Sequence, residues 1–164
     1  MTMRALTLHR PWDWAILHAG KDCENRTWKP PASALGQRLA IHAGKVFDVD
    51  GMLWMESERG LTVPGKSSHP SGVVTGVVTL VGWITPDCAD MLTFEEYDRA
   101  RASRWYCGRV GWVLADPIPL AEPVPCRGAQ GIWRLPPDVE EKVRRRIPRP
   151  SEPAPEPEGA EEEK

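Results

Sequence analysis

Hydrophobic and polar residues alternate in several short segments, which is the spacing of half-buried β-strands. Residues 4–8 and 37–43 alternate in this way. The segment 72–84 is rich in Val and Thr and gives the clearest strand signal. Gly76 and Gly82 lie inside this segment and predict bends or bulges, which curl a sheet toward a barrel.

The rest of the chain contains further strand signals. Extended chain is predicted at 22–28, 109–116, 117–126 and 131–135. Four of the ten residues at 117–126 are prolines, which cannot donate a backbone hydrogen bond. This segment is therefore predicted to be an edge strand or an irregular strand.

Helical spacing of hydrophobic residues appears in four other segments. The predicted helices cover residues 10–20, 46–60, 94–104 and 136–146. Pro11 suits the first turn of the first helix, and Gly20 ends it. Thr93 and Glu96 have the spacing of a capping box at the start of the third helix.

Short strands interrupted by helices predict an α+β fold with a small mixed sheet, closed on itself, and helices outside it. The 164 residues suggest one domain, residues 1–136, followed by a C-terminal helix at 137–149. The Pro- and Glu-rich segment 150–164 has too few apolar side chains to order itself, so it is predicted to be a disordered acidic tail.

Charge and aromatic content narrow the choice of partner only slightly. Residues 151–164 contain six Glu and one Lys, so this segment carries −5 and the other 150 residues carry +3 of the net −2. Such a body tolerates an anionic partner without having the footprint of a nucleic-acid-binding protein. Eight tryptophans against two Phe and two Tyr are unusual. Most are expected in the core, although an indole can also stack on a base.

The four cysteines lie far apart and form no CxxC pair, so no metal site is predicted. No secretory leader and no apolar run long enough to cross a bilayer is present, so no membrane partner is predicted. A cytoplasmic protein with free thiols is the default expectation. No cofactor is predicted, and a monomer is assumed.

The most informative segment is "AGKDCENRTW", residues 19–28. Successive side chains of an extended chain point to opposite faces. One face would then carry Asp22, Glu24, Arg26 and Trp28, and the other Cys23, Asn25 and Thr27. Glu24 and Arg26 are close enough to pair, and Lys21 can reach them from the preceding turn.

The stretch 6–28 resembles the opening of an ASCH domain, the activating-signal-cointegrator homology domain of the PUA-like superfamily. The mark of that family is G-x-K-x-x-E-x-R, or a close variant, after a helix that begins Pro-Trp. Here Gly20 and Lys21 are adjacent, and Glu24 and Arg26 follow at the expected distances from Lys21. Similar stretches continue in order to about residue 135: "GQRLAIHAGK", "HPSGVVTGVVTLVGW", "GWVLADPIPL" and "PVPCRGAQGIWRL".

The resemblance implies a PUA-like β-barrel with flanking helices and a cleft lined by the Lys/Glu/Arg motif. It implies a module that binds nucleic acid, foremost RNA, or a modified nucleoside or nucleotide. The alternative is a hydrolase, because a few small bacterial members act on an acylated nucleoside such as N4-acetylcytidine and ribonuclease activity has been attributed to others.

The residue types of the motif suit such a ligand. Glu can accept a hydrogen bond from the amino group of cytosine, and Arg or Lys can hold phosphate or a carbonyl oxygen. Trp can stack an unpaired base. The predicted ligand-binding residues are Pro11, Trp12, Lys21, Glu24, Arg26, Trp28, His42, Lys45, Arg127 and Gln130.

Each candidate also has a structural explanation. Glu24 and Arg26 can form a partly buried ion pair that only orients the sheet. His42, near Lys45, can be an acid or base in the cleft or an ordinary core histidine. The Gly-rich loop 126–131 can cradle a phosphate or serve as a tight turn.

If the protein is an enzyme, Lys21 and Glu24 are the predicted catalytic residues. The hydrolases of the family are thought to use a Thr nucleophile with the motif Lys and a distal Glu. Here Glu24 stands where that Thr is expected, while Thr27 and Cys23 lie on the opposite face of the predicted strand. Glu24 would then have to activate water as a general base.

Overall fold

The computed structural model of the protein describes residues 2–149, in which one seven-stranded sheet is accompanied by four helices. The strands are β1 (Arg4–Arg10), β2 (Cys23–Arg26), β3 (Gln37–Phe47), β4 (Val73–Ile84), β5 (Ala89–Asp90), β6 (Val110–Pro125) and β7 (Ile132–Arg134). The helices are α1 (Trp12–His18), α2 (Val49–Arg59), α3 (Phe94–Ala102) and α4 (Pro137–Arg146). The predicted α+β class is confirmed.

The strands pair in the order β2–β6–β4–β3–β1–β7, with β5 added to the end of β4. Only β1 and β3 run parallel, with Leu6 opposite Ile41 and Leu8 opposite Ala43. The other pairs are antiparallel. The two segments predicted as separate strands at 109–116 and 117–126 form the single strand β6.

The sheet is open, so the predicted closed barrel is not confirmed. Within residues 2–149, no strand pairing joins β2 to β1 or β7. Side chains of both β1 and β2 instead line a cavity. β7 pairs with the outer edge of β1 over residues 4–6, so this part of the edge is not available to β2. The opening in the sheet therefore coincides with a concave site.

Bulges in the sheet occur beside the two glycines predicted to cause them. The pairing of β4 with β6 shifts register next to Gly76 and next to Gly82. A Cβ atom on Gly76 would lie 2.4 Å from the side chain of Leu17, and one on Gly82 would lie 2.3 Å from the Asp90 carbonyl oxygen. Both positions need glycine because another element approaches the strand closely.

Hydrophobic side chains pack on both faces of the sheet. On one face, β1, β3, β4 and β6 pack against α1 in a cluster that contains Ile16, Leu80 and the fully buried Trp112. On the other face, Val139 and Val143 of α4 cover Val77 and its neighbours. Helix α4, predicted to follow the domain, thus contributes to its core.

Among the residues that the structure describes, no helix is long and apolar enough to span a membrane. The segment 150–164, predicted as an acidic tail, lies outside the described residues.

Candidate functional site

A cavity of about 370 Å³ opens between β1 and β2, at the start of α1. Its lining residues are Thr7, Leu8, His9, Trp12, Lys21, Glu24, Asn25, Arg26 and Cys107. The set includes all three motif residues and one of the two tryptophans predicted to stack a base.

Glu24 is held between the two cations of the motif. Lys21 Nζ donates a hydrogen bond of 2.8 Å to Glu24 Oε2, and Arg26 Nε lies 3.3 Å from Glu24 Oε1. Lys21 also donates to the carbonyl oxygen of Cys23 and is only 4% exposed. The Lys21 ammonium group is therefore engaged inside the protein, where it fixes and neutralises the Glu24 carboxylate.

Arg26 is the more accessible cation. Its side chain is 25% exposed, compared with 2% for Lys21. Its Nε is buried and has no well-aligned hydrogen-bond partner within the described residues. The guanidinium carbon lies 6.0 Å from the ring centroid of Trp112, a cation–π distance. Two cations and one carboxylate give the motif a net positive charge, which favours an anionic ligand.

Strand β2, which carries Glu24 and Arg26, is held in place by its pairing with β6 and by hydrogen bonds of Asn25. Its residues pair with β6, with Glu24 opposite Trp112 and Asn25 opposite Gly111. The Asn25 amide donates to the Trp105 carbonyl oxygen over 2.8 Å and accepts from the Cys107 N–H over 3.0 Å. Glycine is required at position 111 because a Cβ atom there would lie 2.7 Å from the sulfur of Cys23. Contacts to the segment 105–107 thus hold β2 in place, but the predicted alternation holds only in part. Asp22 and Trp28 of the predicted motif face do not line the cavity, while Asn25 of the other face does.

Trp12 forms a wall of the cavity and is held in place by α2. Its indole Nε1 donates a hydrogen bond of 2.8 Å to Asp48 Oδ2, while Asp48 Oδ1 accepts from the Gly51 N–H and caps the helix. A Cβ atom on Gly51 would lie 2.7 Å from Trp12 Cζ2, so glycine makes room for the ring. Lys21 Nζ lies 5.5 Å from the Trp12 ring centroid, and this contact joins the wall to the motif.

The Asp48 carboxylate is stabilised in its ionised form. Burial alone would raise its pKa, but the hydrogen bonds from Trp12 and Gly51 outweigh burial and lower the pKa below its ordinary value. Asp48 is therefore a constant acceptor for the indole of Trp12, and the ring is oriented before any ligand enters.

The other predicted ligand-binding residues lie outside the lining of this cavity. Pro11 is buried at the start of α1, and Trp28 packs edge-on against Trp112 with ring centroids 4.7 Å apart. Lys45, Arg127 and Gln130 are exposed. The structure thus brings together four of the ten predicted residues in the cavity: Trp12, Lys21, Glu24 and Arg26.

His42 lies in a separate buried cluster against the Gly-rich loop. Its Nε2 donates to the Cys126 carbonyl oxygen over 2.8 Å, and its ring meets that of Trp133 edge-on at 5.6 Å. A Cβ atom on Gly128 would lie 2.5 Å from the imidazole. This placement corresponds to the core-histidine alternative, and it packs the loop 126–131 directly against β3.

The burial of His42 predicts a pH-dependent stability. Burial lowers its pKa below the ordinary 6.5, although the hydrogen bond to Cys126 opposes the shift. As pH falls through 6.5, the unfolded chain therefore takes up a proton on His42 before the folded chain does, and the free energy of unfolding decreases. Melting temperatures measured from pH 7.5 to 5 are expected to fall less steeply for His42→Gln. Equal slopes for the two proteins would contradict this assignment.

Five lining residues were absent from the predicted set: Thr7, Leu8, His9, Asn25 and Cys107. His9 follows the alternating strand segment and precedes Pro11-Trp12, so its position beside the motif was the one available signal. Cys107 reaches the cavity from a loop more than 80 residues away in sequence, and no local pattern marks it.

The site offers a fixed carboxylate, an accessible guanidinium and an oriented indole around a cavity of about 370 Å³. Within residues 2–149, no group of three or more His, Cys, Asp or Glu side chains is placed to hold a metal ion. These groups can bind a ligand in which the polar edge of an aromatic ring lies beside an anionic group.

Neither a protein-family model nor a curated protein matches the sequence. Solved structures do match: the ASCH protein from Zymomonas mobilis has a TM-score of 0.51 at 16% identity, over 90% of this chain and 96% of the other. Two single-substitution variants of that protein give TM-scores of 0.50 and 0.52 at 16% and 15% identity, again over 90% of this chain and over 97% and 100% of theirs. The resemblance to the ASCH family is thus confirmed at the level of the fold.

Proposed function

We propose that the protein binds single-stranded nucleic acid, foremost RNA, or a modified nucleotide, with one base held in the cavity between β1 and β2. The observation that carries this proposal is the arrangement of Glu24, which is fixed between Lys21 and Arg26 and faces a cavity walled by the Trp12 ring. The ASCH fold is consistent with this role, since the resemblance to that family implies nucleic-acid binding.

Each group has a distinct role in the proposed complex. The Glu24 carboxylate accepts from an exocyclic amino group such as that of cytosine. Arg26 contacts the phosphate, because its side chain is the more exposed of the two cations. Trp12 stacks on the base, and Asp48 holds its indole at the required angle. Lys21 positions Glu24, because its ammonium group is already engaged.

A hydrolase is the second candidate, supported by the contact of Lys21 with Glu24 at the cavity. A covalent mechanism through Cys23 is unfavourable, because burial raises the pKa of this thiol to about 12 and keeps it protonated. Thr27 is exposed and does not line the cavity. Hydrolysis would therefore proceed through a water molecule activated by Glu24, acting on an acylated nucleoside or on RNA.

One experiment tests the function directly. The protein is mixed with total RNA and with a panel of modified nucleosides, N4-acetylcytidine included, and mass spectrometry follows both retained and altered species. Retention without a change of mass supports binding, and loss of an acyl group or shortening of RNA supports the hydrolase. If no species is retained and none is altered, the proposed function is wrong.

Replacing Arg26 with Gln is expected to weaken binding of a single-stranded oligonucleotide about tenfold and to reduce its dependence on salt. Loss of one phosphate contact should decrease the slope of log K against log salt by about 0.7 for a single strand. Fluorescence anisotropy at several salt concentrations measures both quantities. Arg146→Gln is the matched control, because Arg146 has a similar exposure of 30% and pairs with Glu122 away from the cavity. If Arg26→Gln leaves this slope unchanged, Arg26 does not contact the phosphate.

A further inference from the structure

A row of aromatic rings continues from the cavity onto the surface of the protein. The Trp12 ring, which lines the cavity, lies 6.1 Å from that of Trp54 on α2. The Trp54 ring in turn lies 6.0 Å from that of Trp105. The three indoles come from three separate parts of the chain and contact one another in sequence, starting at the candidate site. Trp12 and Trp105 are half-buried against a small hydrophobic cluster, while Trp54 is exposed.

This surface also carries positive charge. The guanidinium carbon of Arg59 lies 4.5 Å from the ring centroid of Trp54 and 5.5 Å from that of Trp105. Arg59 and Arg104 are fixed by backbone carbonyl oxygens, since Arg59 donates to the carbonyls of Glu58 and Arg104, and Arg104 donates to that of Glu58. Within the described residues, neither arginine forms an ion pair with a carboxylate. Both keep their charge for an anionic ligand.

Trp54 remains accessible despite these contacts. Its exposed fraction is 38%, which is large for an indole that already contacts two other indoles and a guanidinium group. The loop that carries Trp105 is tied to the cavity, because the Trp105 carbonyl accepts from Asn25, a lining residue. The row of tryptophans therefore begins at the edge of the cavity.

From this arrangement we infer that Trp54, Trp105 and Arg59 form a second stacking subsite, the rim platform, for the nucleotide adjacent to the one in the cavity. This inference rests on the proposed function and specifies its ligand as an oligonucleotide. Proteins that bind single strands commonly stack successive bases on aromatic rings and contact the nucleic-acid backbone with basic side chains such as arginine. A free nucleoside would use only the cavity, while a strand of two or more nucleotides would use both.

The test compares a mononucleotide with a short strand. Cytidine 5′-monophosphate and a single-stranded oligocytidylate hexamer are titrated against the wild type and Trp54→Ala. Stacking of one base contributes roughly 1–3 kcal/mol. Trp54→Ala should therefore weaken the hexamer by roughly 5- to 150-fold. The affinity for the mononucleotide should fall by a clearly smaller factor, because that ligand loses no stacking partner and only the packing of Trp54 against Trp12 is removed.

Two further variants separate stacking from general damage. Trp54→Phe retains an aromatic ring and should recover much of the hexamer affinity. Leu53→Ala removes a neighbouring side chain of α2 that is 52% exposed and should change neither affinity. Circular dichroism establishes that each variant is folded. If Trp54→Ala does not fold, Arg59→Gln serves as the test, because it removes the cation that lies 4.5 Å from the Trp54 ring and should weaken the hexamer more than the mononucleotide.

The outcomes distinguish this inference from the proposed function. If Trp54→Ala leaves the hexamer affinity unchanged, or weakens both ligands equally, the rim platform is wrong while the cavity site stands. The same conclusion follows if the wild type binds the hexamer no more tightly than the mononucleotide. If the wild type binds neither ligand, the cavity site and the platform both fail.

Discussion

Replacing Trp112 with alanine is expected to lower the free energy of unfolding by about 3–5 kcal/mol, the usual cost of removing a large aromatic side chain from a core. Trp112 is fully buried in the cluster between the sheet and α1. Its indole N–H donates to the Trp28 carbonyl oxygen over 3.0 Å, and its ring meets that of Trp28 edge-on. The substitution removes these contacts together and leaves a cavity.

The same substitution should impair ligand binding. Trp112 lies opposite Glu24 in the pairing of β6 with β2, and its ring lies beneath Arg26. Loss of the ring would therefore displace the strand that presents the motif. Urea denaturation measures the stability, and anisotropy with an oligonucleotide measures the affinity.

Two variants act as controls for Trp112→Ala. Trp28→Ala removes a ring that is 38% exposed and should cost much less stability. Trp112→Phe keeps most of the apolar volume and loses only the indole hydrogen bond, so its effect should lie between the two. If Trp112→Ala proves no more destabilising than Trp28→Ala, the structural role given to Trp112 is wrong.

Local features of the fold were predictable from the sequence because they depend on neighbouring residues. The capping box at the start of α3 has both of its hydrogen bonds, between Thr93 and Glu96. The irregularities of β4 occur beside Gly76 and Gly82. The proline-rich half of β6 pairs with β4 alone, as expected for an edge, while β2 covers only residues 110–113.

The features that were missed depend on contacts between distant parts of the chain. Alternation indicates which residues share a face of a strand, but not which face lines a cavity. His42 is an example, because its side chain packs against the loop 126–131 and not in the cavity. Lys21 reaches Glu24 from the preceding turn as predicted, but the burial of its side chain, which is only 4% exposed, was not foreseen. The cavity between β1 and β2 is also lined by side chains from α1 and from the loop at Cys107. No local pattern contains that information.

The orientation of Trp12 depends on contacts that the sequence pattern does not predict. The Pro-Trp motif identified the residue, but its orientation comes from Asp48, 36 positions later in the chain. Asp48 in turn acts as the N-cap of α2, and Gly51 provides the space for the ring. Asp48 therefore caps α2 and orients Trp12 at the same time, and a sequence motif around Trp12 cannot predict this double role.

Replacing Glu24 with Gln is expected to decide between the functions considered for the cavity. Gln keeps the shape of the side chain and an acceptor for Lys21, which lies 2.8 Å away, but it removes the charge that meets Arg26. If Glu24 reads an amino group, affinity for cytidine 5′-monophosphate should fall by about 1–3 kcal/mol, the contribution of one good polar base contact. If Glu24 is instead a general base, turnover should be abolished while binding persists, because the base acts mainly in the transition state.

A purely structural role for Glu24 would produce a third and different result. Removing one partner of a buried ion pair destabilises the fold, because the remaining charge is left without compensation. Glu24→Gln would then lower the melting temperature and leave both affinity and turnover unchanged, and that outcome would exclude a ligand site at this carboxylate. The matched control is Glu140→Gln, because the Glu140 side chain has a comparable exposure, 14% against 11%, and also pairs with an arginine, Arg144. Glu140 lies on α4, away from the cavity, so its substitution should change stability without changing binding or turnover.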